Sequence, residues 1–294
     1  MTAATAATIE AAPARRPRAL HQHVYWLLIL PSVVLMAAFY LYPLVKVLWI
    51  SVTEPSLGLD NYERLFTSAS VQRMLTVTLR ISLITTGVSM VLAYIVAYVM
   101  VHSSERVQRW MIFFVLVPFW ISVLVRAFAW VTLLRGEGIV NNLLIGAGFL
   151  AEPLALVRNE LGVIIGMIHY MVPFAILPLY ANMRGIDQRL VAASRGLGAT
   201  PIQAFLRVFL PLSLPGIVGA GVLVFIFSTG FYVTPAILGG GKVFMIAEYI
   251  AVQINETLRW GLGTMLASTL MIFVFVLMAV LGRFVNLKRL FGAG

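Results

Sequence analysis

Few residues in this chain could do chemistry, and most lack the neighbours their chemistry needs. Gly239-Gly240-Gly241-Lys242 has the outline of a phosphate-binding loop. However, Val243 follows the lysine where a serine or threonine must hold magnesium, and no glycine sits five residues before Gly241. A flexible loop is the better reading. His169 lies in an apolar run with no acid near it in sequence, which favours a hydrogen-bonded packing residue over a proton relay. His21, His23 and His102 are too scattered for a metal site. There is no cysteine, no serine–histidine–aspartate arrangement with supporting context, and no pair of carboxylates inside an apolar run. Neither catalysis nor a resident cofactor or metal is expected. Arg126 is the exception, a charge set deep in an apolar stretch with Trp120 and Trp130 on either side. Such a charge costs about 3 kcal/mol or more in hydrocarbon, so it faces a partner or watery cavity, or it snorkels to the interface. Trp120, Tyr170 and Tyr232 offer aromatic faces for a cationic solute.

The element that must position these residues is a membrane bundle. Hydrophobic residues make up 61% of the chain and charged ones 11%, with a mean hydropathy of +0.97, which excludes a soluble domain. The net charge of +10 is dispersed between apolar segments and forms no basic face for nucleic acid. Six runs near the length of a hydrocarbon core predict six spanning helices. They are Tyr25–Leu48, Ile81–Val101, Trp110–Leu134, Leu161–Tyr180, Pro215–Leu238 and Leu262–Leu281. The chain therefore reads as an all-α integral membrane protein with a transmembrane domain over 24–284. Polar tails occupy 1–23 and 285–294. Between the spans, Thr53–Arg80 contains an acidic, aromatic stretch read as a short interfacial helix. Ile139–Val157 and Phe244–Thr257 are read as interfacial helices too.

One polar island, Asp187–Pro215, stands out among these spans. Asp187–Arg195 has good helix formers, and Gly196-Leu197-Gly198 supplies a turn. Thr200 then caps a second helix with Pro201 at its first position and Gln203 placed to reach back to the cap. Ile202, Phe205, Leu206 and Phe209 form an apolar stripe at i, i+3, i+4 and i+7, and Pro211 and Pro215 are expected to end the element. Such a hairpin either lies on the membrane surface or docks a partner protein.

Basic residues orient the bundle. The N-terminal tail, Ser103–Arg109, Arg184–Arg207 and the C-terminal end from Arg283 together hold twelve basic and three acidic residues; the rest of the chain holds nine and eight. Both termini and the hairpin are thus expected in the cytoplasm.

The hairpin resembles the EAA loop of permease subunits in binding-protein-dependent ABC importers. Ala192, Ala193 and Ser194 fill the opening positions, and Gly198 is the glycine. After nine residues Val208-Phe209-Leu210-Pro211 closes the motif. Ala192 stands where that family often carries glutamate, which removes any specific charge contact there. Two further stretches resemble the spermidine/putrescine class of these permeases. One is Pro118-Phe119-Trp120 with Ser122, Leu124, Arg126 and Trp130; the other is Phe231-Tyr232-Val233-Thr234-Pro235 with Leu238-Gly239-Gly240.

The resemblance implies a type I importer permease in a bacterial inner membrane, driven by separate ATPase subunits. A second permease, forming a heterodimer, and a solute-binding protein complete the assembly. It also implies a solute pathway, with Trp120, Arg126, Tyr170 and Tyr232 as the candidates along it, and that 187–211 is the coupling loop. In it Ala192, Ala193 and Ser194 approach the ATPase, Gly198 and Thr200 shape the turn, and Phe205, Phe209 and Pro211 form its base. An ion-gradient transporter is the alternative, and it requires intramembrane acids that the spans as drawn lack. A scaffold that recruits a non-ATPase partner is a third reading.

Overall fold

A computed structural model describes residues 20–284, and among these there are helices and no strand. The expected tails therefore fall largely outside the described residues, as do Arg15, Arg16, Arg18, Lys288 and Arg289. The chain divides into two compact units, one ending at Val47 and the other starting at Leu48. The first span is built from α1 (Leu20–Met36), a π-helical turn (Ala37–Leu41) and α2 (Tyr42–Thr53). Helix α1 thus begins within the stretch read as the N-terminal tail.

In the second unit, α3 (Asp60–Thr67) is the short acidic, aromatic helix that the sequence predicts. Asn61 ties it back to the end of the first span, donating to the carbonyls of Ser51 (3.2 Å) and Glu54 (2.6 Å). Helix α4 (Ala69–His102) starts twelve residues before the predicted span and runs for 34 residues. That is about 51 Å, well beyond the roughly 30 Å of a hydrocarbon core, so one end stands clear of it.

The third predicted span is not a single rod. Helix α5 (Glu105–Trp120) and the segment from α6 (Val123–Leu134) into α7 (Ile139–Gly146) meet at 96°. Pro118 has no N–H to continue the ladder, and Ile121 and Ser122 take extended backbone angles, so α6 starts afresh at Ser122. The described residues therefore hold five helices long and apolar enough to span, and six if this bent pair counts as one. Of the stretch 139–157, only Ile139–Gly146 is helical.

Helix α8 (Glu160–Arg184) leads to α9 (Gln188–Gly196) and α10 (Pro201–Ala204). A π-helical turn (Phe205–Phe209) and α11 (Leu210–Thr229) follow. Pro211 and Pro215 do not end the hairpin's second helix, contrary to expectation. Residues Pro201–Thr229 form one continuous span of 29 residues. The π turn explains how: the Leu210 N–H bonds the Phe205 carbonyl five residues back, and the wider turn makes room for Pro211. The first span uses the same device, with Tyr42 N–H bonding Ala37 just before Pro43. The predicted span Pro215–Leu238 is shifted accordingly, since α11 stops at Thr229 and α12 (Val233–Gly239) is separate. Helix α13 (Ile246–Asn255) and α14 (Trp260–Phe284) complete the chain.

Helices α4, α8 and α11 pack on one another at the centre. Ala93, Ala97, Ala175 and Ala220 are fully buried between them, and small side chains of this kind let helix backbones approach closely. Gly216 shows how close: a Cβ there would lie 2.6 Å from Asn182 Oδ1. A second cluster joins α4, α6, α8 and α12, and a third joins α4, α13 and α14. Helix α13 is therefore part of the packed body, with Ile246, Glu248 and Gln253 buried.

Candidate functional site: the helical hairpin and an aromatic cluster

Each local signal in the hairpin sequence produces a specific contact. Asp187 caps α9 by accepting from the Arg189 N–H at 2.9 Å. At the other end Gly198 takes φ +91°, and no heavy atom lies within 4 Å of where a Cβ would be. Around it the Gly198 N–H bonds the Arg195 carbonyl and the Ala199 N–H bonds the Ser194 carbonyl, a Schellman stop. Glycine is needed here for its backbone angle and not for space. Thr200 and Gln203 form a reciprocal capping box: Gln203 N–H donates to Thr200 Oγ1 at 3.3 Å, and Thr200 N–H to Gln203 Oε1 at 3.0 Å.

The predicted apolar stripe splits in two. Phe209 is buried and Phe205 half-buried, while Ile202 and Leu206 are exposed. The cause is the end of α4, which presents Tyr94, Tyr98 and His102 to one ridge of the second helix. Phe205 and Phe209 stack at 6.0 Å, and Tyr98 meets both edge-on at 5.4 and 5.2 Å. His102 lies 5.5 Å from Phe209, and the hydroxyls of Tyr94 and Ser213 are 3.0 Å apart. Between the arms a cavity of about 290 Å³ is lined by Val191, Ala192, Arg195, Pro201, Tyr98 and His102, among others. Ala192, at the open edge of this cavity, and Ala193 are exposed, and Leu197 is 90% exposed. Ser194 is half-buried, with its hydroxyl donating to the Val191 carbonyl at 2.8 Å. Pro211 sits at the start of α11. Tyr94, Tyr98 and His102 were missed in the sequence, although their i, i+4, i+8 spacing beside the polar Ser103-Ser104 marks a ridge at a helix end.

The four residues expected along a solute pathway are only partly brought together. The Arg126 guanidinium lies 4.3 Å over the ring of Tyr170, which stacks on Phe174 and leans on Phe231 at 4.4 Å. Arg126 is thus held across an aromatic face, with its Nε buried and without a hydrogen-bond partner among the described residues. Tyr232 follows Phe231 but is exposed, and Trp120, 89% exposed at the α5–α6 break, stands apart from the cluster. His169 packs against Trp130 at 5.4 Å, in keeping with a packing role. No group of three His, Asp or Glu residues suited to a metal occurs among the described residues.

Glu248 is a further group that the sequence did not single out. It is buried at the first turn of α13 with one carboxylate oxygen unpartnered, and desolvation pushes its pKa up to about 7.

Residues 89–289 match the family described as "Binding-protein-dependent transport system inner membrane component". The chain is 34% identical over 223 residues to the spermidine/putrescine transport system permease protein PotB of Haemophilus influenzae, covering 76% of each. It is 31% identical over 225 residues to PotB of Escherichia coli K12, covering 76% of this chain and 82% of that one. Among solved structures, a bacterial ABC transporter that imports alginate superposes with TM-score 0.70 at 20% identity, over 90% of this chain and 96% of that one. The alginate transporter in complex with its alginate-pentasaccharide-bound periplasmic protein gives 0.72 at 19% identity, over 89% and 93%. These structural likenesses establish the fold, while the family match and the sequence relatives favour an ATP-driven importer over an ion-gradient transporter. The chain belongs to the inner membrane components of binding-protein-dependent transport systems, and it is the permease subunit of an ABC importer.

Proposed function

We propose that this permease moves a small polyamine-like or related amino compound inward, and that the α9–α10 hairpin is where ATPase subunits drive it. One observation carries the coupling role. The hairpin's inner ridge is clamped to α4 by an aromatic cluster, while its outer surface leaves Ala192, Ala193, Leu197 and Ile202 uncovered. Exposed apolar side chains on so rigidly capped a hairpin, set among Arg189, Arg195 and Arg207, suit close approach by a partner protein. The excess of basic residues on the hairpin's side of the chain supports a cytoplasmic position for it and both termini, on the side of the ATP. The partners are two ATPase subunits, a second and different permease, and the solute-binding protein. ATP binding draws the ATPases together, and the hairpins carry that motion to the spans.

The amino-compound reading rests on relatives that carry spermidine and putrescine in their names, together with the Tyr170, Phe174 and Phe231 faces suited to a cation. Arg126 favours a solute that also carries an anionic group, because it already occupies one face of Tyr170. Tagged purification in mild detergent tests the assembly: a stoichiometric ATPase and a second permease are expected. Recovery alone under several detergents would overturn the coupling role. Uptake of labelled putrescine, in competition with zwitterionic amino compounds, separates the two solute classes.

A further inference from the structure

At the end of the bundle opposite the hairpin, three separate segments enclose a cleft of about 630 Å³. The start of α4 contributes Arg73 and Arg80, the start of α8 contributes Glu160, and the turn after α12 contributes Lys242. Three cations therefore face one carboxylate. Glu160 pairs with Arg80, the only ion pair among the described residues, which leaves Arg73 and Lys242 exposed and unneutralised.

The rim of this cleft is built with unusual backbone. Arg158 is a non-glycine residue at φ 60°, with its N–H bonded to the Leu238 carbonyl at 2.7 Å, and Gly240 opposite it takes φ 52°. A Cβ on Gly240 would lie 2.7 Å from Arg158 Cγ, so the two positions are fitted to each other. Left-handed backbone at a non-glycine residue is maintained only where its surroundings hold it, and here it sets a fourth cation beside the cleft.

We infer that this cleft is the seat for a carboxylate side chain of the solute-binding protein, with Arg73, Arg80 and Lys242 as its donors and Glu160 holding Arg80 until that carboxylate arrives. The inference rests on the reading of this end of the bundle as the outer one. Charge complementarity favours an acidic protein surface, since the cleft has an excess of cations and the family depends on a binding protein. Arg73 and Arg80 share a helix face and stand about 10 Å apart along the axis, a spread that suits a protein surface better than one layer of lipid headgroups. The site also touches both helices that run to the hairpin's base. Helix α4 ends at Tyr98 and His102, and α8 leads directly into α9. Displacing Glu160 from Arg80 would loosen the outer clasp of this central pair.

The test uses the intact transporter in nanodiscs of phosphatidylcholine alone and of phosphatidylcholine with phosphatidylglycerol. Its own solute-binding protein is titrated onto immobilised discs. The R73E/K242E double variant should weaken binding about tenfold or more in both lipids and flatten its salt dependence, with co-purification of the ATPase and basal hydrolysis unchanged. The milder R73Q/K242Q variant should fall in between, and lysine at one acidic position of the binding protein should restore binding to R73E/K242E. Unchanged binding in the double variant would overturn the inference while leaving the permease assembly intact. A loss confined to discs with phosphatidylglycerol would overturn it in favour of an anionic headgroup. No binding by the wild type, with the ATPase still co-purifying, would overturn it together with the outer assignment of this end.

Discussion

The two ends of the helix bundle are held together by different physics. At the hairpin end, two phenylalanines, two tyrosines and a histidine interlock, and both ends of α9 and the start of α10 are closed by caps that the local sequence specifies. At the opposite end, cations, a carboxylate and backbone in left-handed angles surround an open cleft. Aromatic packing fixes one geometry and resists deformation, whereas exposed charge is loosely held and responds to what approaches. The first suits the push proposed for the hairpin, and the second suits the recognition proposed for the cleft.

The comparison can be broken most severely at Gly198. Gly198→Asp puts a side chain on φ +91°, which costs roughly 1–3 kcal/mol locally and opens the turn. Uptake should fall to background while the amount in the membrane, read by immunoblot, stays near wild type. Unchanged uptake would remove the hairpin from the mechanism.

Phe209→Ala should destabilise the protein by about 3–5 kcal/mol, since it empties a fully buried aromatic site at the clamp. Thermal unfolding in detergent should show the loss. The same substitution at exposed Leu206 should leave the transition nearly unmoved.

Glu248 sharpens the contrast through pH. Its pKa rises on folding from the ordinary 4.5 to about 7, so its protonated form is the one the fold favours. The contribution to stability is full below about 4.5 and is lost as pH rises through about 7. Glu248→Gln should therefore stabilise the protein at pH 8 and change little at pH 5, as read from melting curves across that range.

The smallest effects belong to the capping box and the Arg80–Glu160 ion pair. Thr200→Ala should cost about 1 kcal/mol, because one helix N–H loses its acceptor. Glu160→Ala should cost between about 0 and 1 kcal/mol, because its partner Arg80 is largely exposed. Equal melting losses for Phe209→Ala and Glu160→Ala would erase the distinction between the two ends.

How much was legible in the sequence follows the same divide. Asp187, Gly198, Thr200, Pro201 and Gln203 act on backbone within a few residues of themselves, so their types and spacing were enough to place the hairpin. The splitting of its apolar stripe was not legible, because it depends on Tyr98 and His102, about a hundred residues earlier in the chain. The bend at Ile121–Ser122 was hidden because hydropathy stays high across it, and Pro118 marks only a place where a bend is permitted. The prolines after the hairpin misled for the opposite reason. A proline ends an α-helix by default, and the π turn that spares this one leaves no compositional trace. The cleft at the opposite end was invisible, since Arg73, Glu160 and Lys242 are brought together only by the packing of α4, α8 and α12.

The unbroken helix from Pro201 to Thr229 makes the hairpin's second arm and the following span a single rod, which would serve the proposed coupling as a lever. Its 29 residues reach about 44 Å, so a tilt of about 10° around one end sweeps the other through roughly 8 Å. A loop at the membrane surface would have absorbed such a movement. A rod delivers it to Phe227, whose ring meets Phe174 edge-on at 5.3 Å one turn before Phe231.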